Sequence, residues 1–217
     1  MIVPTNNYCF YIFTIDIDQR HLLRLGHGEE ELNTDQNFGK FGRVNSFLER
    51  RIFLLQEVDR LSQSLSIEGA HGSTCETAGY FYNIHVLPTW NSYITAARET
   101  GTAEALQENF PFALFFANAP QPLFPPDMSF EETLYIVEGC FRHLEKMFTE
   151  LEDIRPFELL RTGTDRANYL LTKEAKIIAM TCTHAALKVT QSQMLMVVYI
   201  YSLSTHTNMN FLSAGSL

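Results

Sequence analysis

The 217-residue sequence has little positive charge: 16 Lys and Arg stand against 25 Asp and Glu, a net charge of −9. No global positive field therefore draws in phosphate backbones, and any nucleic-acid contact has to be local. Cysteine is sparse as well. Cys9, Cys75, Cys140 and Cys182 lie more than forty residues apart, whereas zinc sites use closely spaced ligands, so no metal site is read from them. No Gly-x-x-x-x-Gly-Lys-Ser/Thr loop exists to cradle a triphosphate. The sequence has no Asn-x-Ser/Thr acceptor, and its start lacks the basic residues and small-residue cleavage site of a signal peptide. A reducing intracellular compartment with free thiols is the expectation. The apolar stretches Phe10 to Ile15 and Met194 to Leu203 fall short of the ~20 residues that span a bilayer, so a soluble protein without a membrane partner is expected.

What is present points to packed structure. Hydrophobic residues make up 46% and charged residues 19%, below the usual charged share of about 25%, which excludes a disordered chain. The length suits one large domain or two small ones. His21 to Leu25 reads as a short strand ahead of the turn Gly26-His27-Gly28, and the polar, glycine-punctuated stretch to Gly42 as a loop. From Arg43 onward Val44, Leu48, Ile52, Leu55, Val58 and Leu65 recur at three- and four-residue steps. That spacing predicts a long amphipathic helix ending in the loop Gly69 to Gly72.

Ser73-Thr74-Cys75-Glu76 has capping-box spacing and predicts a second helix through Tyr80, Phe81, Ile84 and Leu87, with a kink at Pro88. Phe110 to Pro126 holds five prolines among aromatics, which predicts an extended connector with buried rings. Ser129 to Glu132 repeats the capping box and opens the stripe Phe130, Leu134, Val137, Phe141, Leu144, Phe148, Leu151. Over three heptads such a stripe is expected to face another helix of the same chain, closing at Arg155-Pro156. Short helices through Leu159-Leu160 and from Asp165 to Leu171 follow. The apolar run Ala175 to Cys182 then reads as a buried strand, and Thr183 to Leu187 as a turn into a helix.

Several residues carry chemistry worth weighing. Asp16 and Asp18 end an apolar run, as hard oxygen ligands for magnesium would, but alone the pair is a weak signal and a solvated turn is the expectation. Cys182 and His184 lack a third orienting group for nucleophilic catalysis. His27 between two glycines reads as a solvated turn residue. Arg20, Arg24, Arg43, Arg50 and Arg51 form the basic concentration, read as a salt-bridged helix face with a phosphate-facing edge as the rival. Thr181-Cys182-Thr183-His184 end the predicted strand, where hydroxyls and amides can bind backbone phosphates, although packing and helix capping by Thr183 is the first expectation from the residues alone.

The strings themselves say more. Asp16-Ile17-Asp18-Gln19-Arg20-His21-Leu22-Leu23-Arg24-Leu25-Gly26-His27-Gly28-Glu29-Glu30-Glu31-Leu32 resembles the Aquarius family of intron-binding spliceosomal RNA helicases, of helicase superfamily one. So do Cys75 to Phe81, Phe116 to Pro122, Glu138 to His143, and Lys173-Glu174-Ala175-Lys176-Ile177-Ile178-Ala179-Met180-Thr181-Cys182-Thr183-His184-Ala185-Ala186-Leu187. The resemblance implies an α/β fragment, mainly α-helical, from an incomplete RecA-like first lobe (P-loop NTPase type) with a large helical insertion. Its expected division is an atypical flank 1–14, lobe segment 15–42, helical insertion 43–171, strand and RNA motif 172–188, and atypical flank 189–217.

By the same resemblance Thr181, Thr183 and His184 contact RNA, and the partners are pre-mRNA intron RNA and spliceosomal proteins in the nucleus, with no DNA. The full-length family uses ATP and Mg. Here both Walker motifs are missing from the sequence, so no cofactor and no ATP hydrolysis by this chain alone are expected. Pro88 departs from the family, which has a helix former there. Two rival readings stand beside this one: a helical scaffold for splicing proteins, and a small metal-dependent hydrolase using Asp16 and Asp18.

Overall fold

The computed structural model describes residues 21–25 and 37–180. In chain order its elements are β1 (Leu22–Leu25), α1 (Lys40–Ser64), α2 (Cys75–Phe81), α3 (Leu87–Thr100), α4 (Ala103–Glu108), α5 (Phe130–Leu159), α6 (Gly163–Tyr169) and β2 (Ile177–Met180). Single π turns, Tyr82–Val86 and Leu170–Glu174, follow α2 and α6. The described residues are thus mainly helical. The chain divides into two compact units, one from residues 1–46 and 160–217, the other Phe47–Leu159.

The first unit holds both strands. β1 and β2 pair in parallel, with Leu22 opposite Ile177 and Leu25 opposite Met180. Leu22, Leu23, Ile177, Ile178 and Ala179 are all buried, so neither face alternates with solvent, the pattern of a parallel sheet covered on both sides. The Lys176 amide donates to the His21 carbonyl at 3.0 Å, and His21 Nδ1 lies 2.9 Å from the Glu174 carbonyl. β2 begins later than Ala175, whose amide instead closes the π turn onto Leu170 at 2.8 Å. α6 starts at Thr162, whose hydroxyl accepts from the Asp165 amide at 3.0 Å.

The second unit is helical, and here the structure departs instructively from the sequence pattern. In α1 the buried positions are Val44, Phe47, Leu54, Leu55, Val58 and Leu61, while Ile52, expected inside, is 54% exposed. Two successive four-residue steps from Val44 rotate a helix by roughly 80° off the starting face, whereas alternating threes and fours hold it. Helix α2 is capped by Thr74, not Ser73. Its hydroxyl accepts from the Thr77 amide at 3.0 Å and the Thr77 hydroxyl accepts from the Thr74 amide at 3.0 Å. Thr77 therefore fills the place expected for Glu76, which is exposed.

Pro88 lies in the first turn of α3, directly after the π turn. Proline cannot donate and crowds the carbonyl four residues back. The helical run continues because the Leu87 amide bonds five residues back to Tyr82 instead. The expected interruption is thus one wide turn. Buried positions shift with it, from Cys75, Ala78 and Phe81 to Val86, Trp90, Tyr93 and Ile94.

The proline-rich stretch is not extended over its first half. Successive turns run from Phe110 to Ala119, such as Phe115 amide to Phe112 carbonyl at 3.0 Å, and bury Phe110, Phe112 and Phe115. Arg60 pins them, its guanidinium carbon 3.7 Å over the Phe115 ring while its Nη1 donates to the Phe115 carbonyl. The short helix α4, which the hydrophobic pattern left unmarked, starts at Thr102. The Tyr93 hydroxyl donates to its Leu106 carbonyl at 2.6 Å.

The Ser129–Glu132 capping box is present, with the Ser129 amide donating to the Glu132 carboxylate at 2.9 Å and the Glu132 amide to the Ser129 hydroxyl at 3.3 Å. The stripe on α5 faces its own chain. Val137, Phe141, Leu144, Phe148 and Leu151 are buried, and Phe141 stacks on Trp90 at 4.3 Å with 3° between planes. The helix does not close at Pro156. It reaches Leu159, because Ile154 and Phe157 are fully buried and Phe157 stacks on Phe47 at 4.6 Å, which outweighs one missing amide donor. Gly79, inside α2, has open space where a Cβ would stand. Gly79→Ala is expected to stabilise the chain by about 0.5–1 kcal/mol, read as a raised urea midpoint, by removing glycine's extra backbone entropy.

Candidate nucleic-acid interface

Thr181, Thr183 and His184 lie outside the described residues, as do Asp16, Asp18, Arg20, His27 and Cys182. What is described is their approach. Leu25 and Met180 are register partners at the carboxyl ends of β1 and β2, so the chain enters Thr181 from the end of a parallel strand, the side where open α/β sheets bind ligands.

Two of the five basic residues make the ion pairs expected of a salt-bridged helix face. Arg50 makes a two-pronged pair with Glu150, both distances 2.9 Å. Arg51 Nε meets Glu158 at 2.6 Å. Arg43 is buried with its guanidinium carbon 5.7 Å from the Phe38 ring centre. Arg24 is 6% exposed on β1, its amide donating to the Phe38 carbonyl at 2.9 Å, and its Nε meets no acceptor among the described residues.

Glu158 is a node that the pattern did not reveal. Its carboxylate accepts from Arg51 of α1 and from the Cys75 amide at 3.0 Å, and so caps α2 from the last turn of α5. Burial pushes this carboxyl up, but the bonds from Arg51 and Cys75 outweigh it and hold the group below its ordinary value. Cys75 answers the other way: burial first, and Glu158 second, push its thiol up to about 12. A thiol so rarely ionised is no nucleophile. Burial raises Cys140 likewise. Glu158 was hard to find in the sequence because it lies 83 residues from the amide it caps.

Among the described residues no three His, Cys, Asp or Glu gather as metal ligands, and no helix is long and apolar enough to cross a membrane. Charge separates sharply between the units. Phe47–Leu159 holds seventeen acidic and seven basic residues, net −10, whereas the other unit holds nine basic and eight acidic, net +1, with residues 160–217 contributing +3. Net charge of that size makes the helical unit unfavourable for phosphate.

A mainly helical chain thus carries a parallel strand pair that leads into a Thr-Cys-Thr-His string. No protein-family model matches the chain. It is 57% identical over 185 residues to the RNA helicase Aquarius of the mouse, covering 82% of this chain and 12% of that protein. It is 30% identical over 168 residues to the pre-mRNA-splicing factor cwf11 of Schizosaccharomyces pombe, covering 76% of this chain and 12% of that protein. The resemblance read from the residue blocks is thereby shown: the chain carries sequence of the Aquarius helicase family. It spans about an eighth of the length of these relatives.

Proposed function

We propose that the chain serves pre-mRNA splicing as a segment of an Aquarius-type RNA helicase, associating with intron RNA and with spliceosomal proteins in the nucleus. The 57% identity over 185 residues carries this reading. On it, β1 and β2 belong to a RecA-like first lobe, and residues 43–171 form the insertion between them. The parallel pairing of two strands from far apart in the chain supports that reading, since parallel neighbours need a crossover, here the helical unit itself. Thr181, Thr183 and His184 act as RNA contacts, supported by their place at the strand end. Hydroxyl and amide donors there position the phosphate backbone and do not read its sequence.

ATP and magnesium, used by the family, do not fit the residues present. The sequence has no phosphate loop, and among the described residues no three His, Cys, Asp or Glu gather as metal ligands. No nucleotide step is assigned to this chain. The rival scaffold reading survives only as a part of this one, and the hydrolase reading has no support in the comparisons.

Fluorescence anisotropy with a labelled single-stranded RNA tests the proposal. The triple variant Thr181→Ala, Thr183→Ala, His184→Ala is expected to weaken binding about tenfold or more and to flatten the salt dependence by about 0.7 for each phosphate the variant no longer holds. Equal affinity of variant and parent would refute the assignment.

A further inference from the structure

The continuous run of α2, π turn and α3 buries one face and leaves the other bare. Along that outer face stand Glu76, Tyr80, Asn83, Ile84 and Pro88, all exposed. Tyr80 is 64% and Ile84 51% exposed, one helical turn apart, and nothing occupies the space above Gly79 beside them. The Tyr80 hydroxyl has no hydrogen-bond partner among the described residues. Large apolar side chains at i and i+4 are the spacing by which a helix seats itself in a groove, and tyrosine is among the residue types that dominate interface energies. The π turn contributes directly. By taking in one extra residue it keeps Phe81 and Val86 both buried, so that Tyr80 and Ile84 stay outward together.

We propose that Tyr80 and Ile84 anchor this helical unit on a protein partner whose contact face is an apolar groove rimmed by Lys and Arg. The basic rim follows from charge: the unit presenting the two side chains carries net −10, which repels an acidic surface or RNA and disfavours a second copy of the same unit. The inference rests on the reading that the chain associates with spliceosomal proteins, and it names the surface used.

The test places benzoylphenylalanine at position 80 of the full chain, irradiates it in nuclear extract and sequences the cross-linked peptides. The expected product is a peptide of another protein with Lys or Arg flanking apolar residues. Its yield should fall at least fivefold with Ile84→Asp, and severalfold between low and high salt, while the helical circular dichroism and melting midpoint of Ile84→Asp stay at parent values. Cross-links to a second copy, to RNA, or to peptides without basic residues overturn the proposal, as does a yield indifferent to Ile84→Asp. Sedimentation of the same chain with spliceosomal particles separates the two levels: co-sedimentation without such a cross-link defeats this surface alone, and absence of co-sedimentation defeats both readings.

Discussion

Phe81→Ala should lower the unfolding free energy by about 3–5 kcal/mol, the cost of deleting a buried ring whose cavity cannot close. Phe81 is completely buried at the last residue of α2. Its ring lies 4.5 Å from that of His71, 5.6 Å from that of His85 and 6.4 Å from that of Phe148 on α5. It therefore joins the loop before α2, the π turn after it and the central helix. Chemical unfolding followed by far-ultraviolet dichroism measures the loss as a lower midpoint at unchanged slope. A loss under about 1 kcal/mol would mean that these elements do not share one core.

Glu158→Gln is expected to cost about 2 kcal/mol at pH 7, the range for a hydrogen bond to a charged group. Both partners are only about one-fifth exposed, at 20% for Arg51 and 19% for Glu158, so solvent screens the pair little. The amide replacement keeps the shape and can still accept from Cys75, but it leaves Arg51 without its counter-charge. Because the native carboxyl is held below its unfolded value, its contribution is complete above about pH 4.3 and disappears as the pH falls through the native value. Melting midpoints of parent and variant should differ at pH 7 and draw together as the pH is lowered into the acid range, below the ordinary carboxyl value. A constant difference across that range would show that Glu158 acts through packing and not through charge.

Much of this architecture was legible because local signals and tertiary demands agreed. The Ser129 box, the α5 stripe and both strands needed only spacing and apolar runs. Where the reading slipped, a distant residue decided. Ser73 and Thr74 both satisfy a capping pattern, and the choice of Thr74 goes with Thr77 closing the box and Glu158 reaching the Cys75 amide. Pro156 looks like a stop until Phe47 is known to stack on Phe157. Pro88 looks like a kink unless the preceding turn can widen. The salt-bridged helix face expected of the basic cluster is present at Arg50 and Arg51, but its acidic partners, Glu150 and Glu158, come from a helix a hundred residues away and could not be named from spacing. Exposure of Tyr80 and Ile84 was invisible for the same reason: apolar residues at helical spacing read as core, and only the π turn reveals which side of it they occupy. The candidate RNA contacts came from the Thr-Cys-Thr-His string, not from periodicity, since their chemistry resides in hydroxyls and amides that composition does not single out.

Ultraviolet cross-linking of the full chain to a uridine-rich single-stranded RNA, with the modified peptides mapped by mass spectrometry, probes the separation of roles most directly. Adducts are predicted within residues 172–188 and none within Phe47–Leu159. RNA attached across the acidic helices, with the Thr181 to His184 segment left unmodified, would contradict it.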